Sequence, residues 1–130
     1  MASEYLLVYG TLLKDFDSYM SKFLEQNSEF VGSGYFQGNL YEISWYPGAV
    51  LSNHPDDKVY GHIFKIKNPK KTFQVLDDYE GIGDDLEHSN EYTRTLIDAY
   101  LNESEHIKTY VYIYNLPTAH LKHISSGKYV

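Results

Sequence analysis

HIKTYVYIY, residues His106–Tyr114, is the stretch that decides the fold. Its side chains are expected to alternate between two faces, as they do along a β-strand. One face holds three tyrosines, Tyr110, Tyr112 and Tyr114. The opposite face holds two aliphatic residues, Val111 and Ile113. Both faces are therefore predicted to be partly buried. A strand that is buried on two sides without being part of a parallel α/β sheet is typical of a β-barrel.

Other stretches of the chain carry similar strand signals or helical spacing. Further strands, or turns leading into strands, are predicted at Tyr5–Tyr9, Phe30–Ile43, Tyr46–Leu51, Lys58–Lys67 and Tyr92–Leu101. Two helices are predicted, one over Asp15–Gln26 and one that begins at Asn68-Pro69 and stops at Gly81. The tail from Leu116 to Val130 is predicted to be irregular. Since strands and helices do not alternate strictly, the predicted fold is α+β: a small mixed β-barrel of about six strands with two flanking helices, in a single domain over residues 1–130.

The composition argues against several classes of protein. The chain has 130 residues, of which 42% are apolar, and a net charge of −7. This negative charge argues against nucleic acid as a partner, because nucleic-acid binding depends on attraction to phosphates. The lysines at 65, 67, 70 and 71 are predicted to be a solvated surface. There is no cysteine, which excludes disulfides and thiolate catalysis. No apolar stretch approaches the length of a membrane span, so no membrane partner is expected and the default location is cytoplasmic.

The segment LDDYEGI, residues 76–82, holds the candidate for proton transfer. Glu80 lies at the end of the second predicted helix, beside Asp77 and Asp78. The helix end and the two carboxylates both disfavour a negative charge, so the pKa of Glu80 is expected to be raised, as suits a general acid/base near neutral pH. The alternative, which this segment taken alone favours, is that all three acids point into water. A calcium loop is excluded because Ser89 stands where its glutamate ligand would be required.

The segment Tyr9-Gly10-Thr11-Leu12 begins at the last residue of the first predicted strand. Gly10 allows the backbone to turn so that successive N–H groups converge, and such a turn can bind a carboxylate through the backbone alone. The alternative is an ordinary glycine at the end of a strand. His120 and His123 are three residues apart, but the sequence suggests no third ligand, so no metal site is predicted.

Six short motifs occur in the order seen in one family: VYGTL (8–12), YPGAV (46–50), VYGHIFKI (59–66), LDDYEG (76–81), YTR (92–94) and YVYIY (110–114). Over Leu6–Tyr114 the chain thus resembles the gamma-glutamylcyclotransferase-like family, which includes gamma-glutamylamine cyclotransferases and AIG2-like proteins. The tail ISSGKYV is similar to the glycine-aromatic ending of that family. The resemblance implies a small mixed β-barrel with flanking helices and a small-molecule gamma-glutamyl compound as the partner.

The resemblance also implies a reaction and its residues. The backbone of Tyr9, Gly10, Thr11 and Leu12 is expected to bind the alpha-carboxylate of a gamma-glutamyl group, and Glu80 is expected to be the catalytic acid/base. Ring closure would release 5-oxoproline and a free amine with no metal or cofactor. Tyr112 is a further substrate-binding candidate, with a core position as the alternative. Arg94 would either orient Glu80 or, as we favour, pair structurally with an acid such as Asp84. A binding protein for a small carboxylate and a hydrolase remain alternative functions on the same scaffold.

Overall fold

The fold was obtained as a computed structural model that describes residues 4–9, 19–42, 47–79, 92–101 and 104–128. The described residues form seven strands and two helices, in the order β1 (Tyr5–Val8), α1 (Tyr19–Gln26), β2 (Ser28–Glu42), β3 (Pro47–Leu51), β4 (Lys58–Ile66), α2 (Pro69–Tyr79), β5 (Tyr92–Tyr100), β6 (His106–Tyr114) and β7 (Lys122–His123).

Five of the strands close into a barrel, in the order β2-β4-β1-β6-β5. The barrel closes where β5 returns to β2, with Tyr100 opposite Tyr35. Only the pairing of β1 with β6 is parallel among the described pairs, so the sheet is mixed, as the sequence predicts. The second half of β2 runs on beyond the barrel and pairs with β3 and β7. The α+β barrel with two helices is therefore confirmed.

Two glycines allow barrel strands to approach each other more closely than a side chain would permit. A Cβ atom added at Gly34 would lie 2.8 Å from the carbonyl oxygen of Tyr100, at the closure between β2 and β5. A Cβ atom at Gly61 would lie 2.4 Å from the carbonyl oxygen of Val8, inside the contact between β4 and β1. Real Cβ atoms do not come so near a backbone, so these positions require glycine unless the strands move apart.

The buried side chains form two cores, one on each face of the barrel wall. The inner core fills the barrel and includes Leu7, Phe36, Ile63, Val111 and Ile113. The outer core lies between the wall and the helices and includes Leu6, Phe64, Leu76, Tyr112 and Tyr114. Alternate residues of β6 thus belong to different cores, which confirms the prediction that both of its faces are buried.

The helix after β4 begins where the sequence predicts. The N–H of Thr72 donates to the carbonyl of Asn68 at 3.0 Å, and its hydroxyl donates to the carbonyl of Lys67 at 2.7 Å. Phe73 and Leu76 are buried in the outer core. The four lysines around this junction, Lys65, Lys67, Lys70 and Lys71, are exposed, in agreement with a solvated surface. The predicted helix end at Gly81 and the first predicted turn at Asp15–Ser18 lie outside the described residues.

The tail differs from the irregular segment that the sequence predicts. Lys122 and His123 form β7 against Glu42 and Tyr41. Beyond them, the N–H of Ile124 donates to Leu40, and the carbonyl of Gly127 accepts from Tyr60. Two residues are too few to show a strand period, so only the pairing reveals this strand. Within the part of the chain that is described, no helix combines the length and apolar character needed to cross a membrane.

Candidate active site

The ends of several elements meet at one end of the barrel, which we call the Tyr9 end. Leu6 of β1 lies opposite Tyr110 of the parallel strand β6, so both strands run towards this end. Tyr92, the first residue of β5, pairs there with Tyr114, the last residue of β6. Two segments with predicted roles in the site directly follow described residues in the sequence: Gly10 follows Tyr9, and Glu80 follows Tyr79, the last residue of α2.

Tyr9 is built into the scaffold through its side chain. The ring is only 6% exposed and packs in the inner core, at a tilt against Phe36. Its hydroxyl donates to the carbonyl of Tyr112 and accepts from the N–H of Ala49, at 3.1 Å. The hydroxyl of Tyr9 therefore connects β6 to β3.

A second tyrosine hydroxyl holds the same strand. Tyr92 is 5% exposed, and its hydroxyl donates to the carbonyl of Pro47 at 2.7 Å. Pro47 and Ala49 lie in β3, which pairs with β2 on one side. The two phenols thus bind one N–H and one carbonyl of β3, and this matters because a buried backbone group without a partner is costly. Two tyrosines, one directly after β1 and one from β5, hold β3 at the Tyr9 end.

The structure brings together two of the predicted site residues, Tyr9 and Tyr112. Tyr112 is 5% exposed, its ring belongs to the outer core, and its carbonyl accepts the Tyr9 hydroxyl. The remaining predicted residues, Gly10, Thr11, Leu12 and Glu80, lie outside the described residues. The substrate-binding roles of Tyr9 and Tyr112 and the catalytic role of Glu80 stay predictions.

Arg94 occupies a position that the sequence left open between two roles. It lies on β5 opposite Tyr112, and its side chain reaches between α2 and the barrel wall. The guanidinium carbon lies 4.3 Å from the ring centre of Phe73 in α2 and 4.7 Å from that of Tyr110 in β6. The arginine thus lies against two aromatic rings that also contact each other, a contact that no local pattern in the sequence predicts.

Other titratable side chains of the described residues contact neighbouring side chains within the fold. Asp57, in the turn between β3 and β4, accepts a hydrogen bond from the Ser52 hydroxyl at 2.6 Å. This bond, more than the nearby His54 and His123, holds the pKa of the Asp57 carboxyl below its ordinary value.

His120 and His123 are exposed, and His123 packs against the Tyr41 ring. Among the described residues, no three histidine, aspartate or glutamate side chains are grouped so that they could hold a metal ion.

Comparison with known proteins gives a consistent family. The family model described as gamma-glutamyl cyclotransferase, AIG2-like, matches residues 6–130. No match was found among curated protein sequences. Among solved structures, the chain is similar to an AIG2-like protein from Mus musculus, with 18% identity and a TM-score of 0.73 over 100% of this chain and 90% of that one.

Two further structures show the same likeness. The protein ytfP from Escherichia coli is 28% identical, with a TM-score of 0.67 over 97% of this chain and 96% of that one. A structure described as gamma-glutamyl cyclotransferase is 17% identical, with a TM-score of 0.62 over 94% of this chain and 70% of that one. At these identities the structural likeness supports the fold, whereas the family model covers almost the whole sequence. The chain therefore belongs to the gamma-glutamyl cyclotransferase, AIG2-like family.

Proposed function

We propose that the protein is a gamma-glutamyl cyclotransferase that releases 5-oxoproline and a free amine from a gamma-glutamyl amine or a related compound. The observation that carries the proposal is the family match over residues 6–130, which spans both predicted site segments. The fold agrees with it, because the barrel and its two helices are those of the family. The family and the fold support a cyclotransferase-like activity; the substrate and the residue roles are our proposal.

The proposed carboxylate site uses the backbone of Tyr9-Gly10-Thr11-Leu12. The fixed position of Tyr9 supports this role, since its ring is buried and its hydroxyl already joins β6 and β3. A loop that begins from so firmly held a residue can present its N–H groups to an anion with little loss of conformational entropy. The alpha-carboxylate of the substrate is the anion we assign to it.

The proposed acid/base is Glu80. Glu80 accepts a proton from the alpha-amine of the substrate, whose nitrogen attacks the gamma-carbonyl carbon of the same molecule. A carbon–nitrogen bond forms and closes the five-membered ring, the bond from that carbon to the leaving nitrogen breaks, and Glu80 returns the proton to the leaving amine. One carboxylate thus serves both steps. Because the nucleophile and the carbonyl belong to one molecule, holding the substrate in a reactive conformation supplies much of the acceleration.

Product analysis tests this function. The protein would be incubated with gamma-glutamyl amines, gamma-glutamyl dipeptides and glutathione, and the products separated. We expect 5-oxoproline from at least one of them, and its loss in Glu80→Gln. Glu25→Gln, the same change at an exposed position of α1, is the matched control and should keep the wild-type rate. Free glutamate in place of 5-oxoproline would indicate a hydrolase, and binding without turnover would indicate a carboxylate-binding protein. Undiminished activity in Glu80→Gln would refute the assignment of that residue.

A further inference from the structure

Four ring side chains from four strands form one row on the outside of the barrel, which we call the ring row: Tyr60 of β4, Tyr35 of β2, Tyr100 of β5 and His106 of β6. Neighbours in the row are directly opposite residues of the sheet, and such residues share a face. The residues next to them along their strands, Val59, Phe36 and Ala99, belong to the inner core. Because side chains alternate along a strand, the ring row lies on the outer face.

The rings contact each other along the whole row and remain partly open to solvent. Their centres are 5.7 Å apart between Tyr60 and Tyr35, 5.4 Å between Tyr35 and Tyr100, and 5.6 Å between Tyr100 and His106. The three tyrosines are half-buried and His106 is exposed. Tyr35 and Tyr100 are stacked, at the register pair that closes β2 against β5. The closure of the barrel therefore accounts for the middle pair of rings, whereas the row extends beyond it on both sides.

The tyrosine hydroxyls of the row differ from those that hold β3. Tyr9 and Tyr92 each place a buried hydroxyl on a backbone group of β3. Within the part of the chain that the structure describes, the hydroxyls of Tyr35, Tyr60 and Tyr100 form no hydrogen bond with the protein. Three hydrogen-bond donors thus lie side by side at a surface that solvent reaches.

Two lysines lie over one end of the row. The Nζ atom of Lys58 is 5.0 Å from the ring centre of Tyr35, and that of Lys128 is 5.1 Å from the ring centre of Tyr60. Both lysines are exposed, and neither pairs with a carboxylate among the described residues. The carboxyl of Asp57, which precedes Lys58, already accepts a hydrogen bond within its own turn. In a chain with a net charge of −7, this end of the ring row is therefore a local patch of positive charge.

The chemistry of the row suits one class of ligand better than another. A proline-rich segment in the polyproline II conformation has carbonyls that need donors, rings that pack against aromatic side chains, and prolines without an N–H to satisfy. It rises about 3.1 Å per residue, so about two residues span the distance between neighbouring rings. Single-stranded nucleic acid fits less well, because bases stack on free ring faces and the middle pair is already stacked. The net charge of the chain also repels phosphates.

We propose that the ring row is a docking site for a proline-rich segment of another protein, with a carboxylate of that segment beside Lys58 and Lys128. The proline rings pack against the aromatic rings, and the tyrosine hydroxyls donate to the carbonyls of the segment. The two lysines bind the carboxylate and thereby fix the direction of the segment along the row. This interaction goes beyond the proposed reaction, since no residue of the ring row belongs to the segments predicted for the catalytic site.

Binding of a synthetic peptide to the full chain tests the proposal. The probe is a fluorescently labelled peptide of two aspartates followed by six prolines, and fluorescence anisotropy measures its dissociation constant. We expect a Kd below about 1 mM. A peptide in which alanine replaces every proline should bind about tenfold more weakly, because it lacks the preformed conformation. A peptide in which two lysines replace the aspartates should also bind about tenfold more weakly, because the charges then repel.

Two variants and two matched controls locate the peptide on the row. Tyr60→Phe keeps the ring and removes one hydroxyl, so the dissociation constant should rise about fivefold. Lys58→Met removes one charge at the carboxylate end and should raise it by about the same factor. Tyr41→Phe and Lys67→Met make the same changes at a half-buried tyrosine and an exposed lysine outside the row, and both should bind like the wild type. Circular dichroism verifies that each variant is folded.

The outcomes that would overturn the proposal are distinct. Absence of binding, or equal binding of the proline and alanine peptides, would show that the row does not recognise this conformation. An unchanged dissociation constant in either Tyr60→Phe or Lys58→Met would place the peptide elsewhere on the protein. Tighter binding of a single-stranded oligothymidylate than of the proline peptide would identify nucleic acid as the ligand instead. Dimerisation of the wild type that Tyr60→Phe abolishes would identify a second copy of the chain as the occupant.

Discussion

Replacing Tyr9 by phenylalanine removes one oxygen atom and is expected to lower the stability of the protein markedly. The hydroxyl serves two backbone groups that are far apart in sequence, the carbonyl of Tyr112 and the N–H of Ala49. The ring is 6% exposed, so water cannot readily take the place of the hydroxyl. The aromatic packing is retained in Tyr9→Phe, and the change therefore isolates the two hydrogen bonds.

The size of the effect follows from the cost of leaving buried polar groups without this partner. Each such group costs about 1–3 kcal/mol, and the carbonyl, with two lone pairs, loses less than the N–H. We expect the free energy of unfolding to fall by about 2–4 kcal/mol, a large part of the roughly 5–15 kcal/mol that small domains possess. For a chain of this size the thermal midpoint should fall by about 10 °C.

Urea unfolding followed by circular dichroism measures this directly. The urea concentration at the midpoint of unfolding should fall. The slope of the free energy of unfolding against urea concentration should be unchanged, because the same surface is exposed on unfolding. Tyr60→Phe is the matched control: this tyrosine is half-buried on the outer face of β4, and its loss of a hydroxyl should cost at most about 0.5 kcal/mol. If the free energy of unfolding of Tyr9→Phe lies within about 0.5 kcal/mol of that of the wild type, the view that the phenol holds β3 in place is refuted.

Three further measurements test the fold. Gly61→Ala should lower the free energy of unfolding by about 2–3 kcal/mol, because its Cβ would lie 2.4 Å from a carbonyl oxygen of β1. Gly32→Ala is the control and should be tolerated, because its Cβ would have no atom within 4 Å. Equal unfolding midpoints of the two variants would contradict the close approach of the strands at Gly61. Leu76→Ala, at a fully buried position, should cost about 2–5 kcal/mol in urea unfolding, and a smaller loss would show that α2 is not docked as described. The pKa of Asp57 is lowered in the folded state from 3.8, so its contribution to stability is present above that value and is lost as the pH falls through the lowered pKa. The thermal midpoint of the wild type should therefore fall more steeply than that of Asp57→Asn on acidification below pH 4, and parallel curves would exclude the Ser52 hydrogen bond as a stabilising contact.

Several elements could be predicted from the sequence because their signals are local. The alternation in β6 and β4 and the Asn68-Pro69 helix start depend on residues within one strand or one turn, and the structure confirms them. The two-residue strand β7 was not predictable, since its only signature is the pairing with β2. For the candidate site, the sequence pointed to segments 9–12 and 76–82, and the structure adds how Tyr9 is anchored.

The sequence by itself determined the character of each element, the two-faced burial of β6 and the family to which the chain belongs. Only the tertiary structure decided which groups meet. The hydroxyl of Tyr9 finds Ala49, 40 residues away, and Tyr112, 103 residues away. Arg94 finds both Phe73 and Tyr110. Such contacts depend on the order and stagger of strands in a closed barrel, and this arrangement is set by the packing of the whole chain. A local hydrophobic pattern in the sequence predicts that a side chain is buried, but it does not predict which residues the side chain contacts.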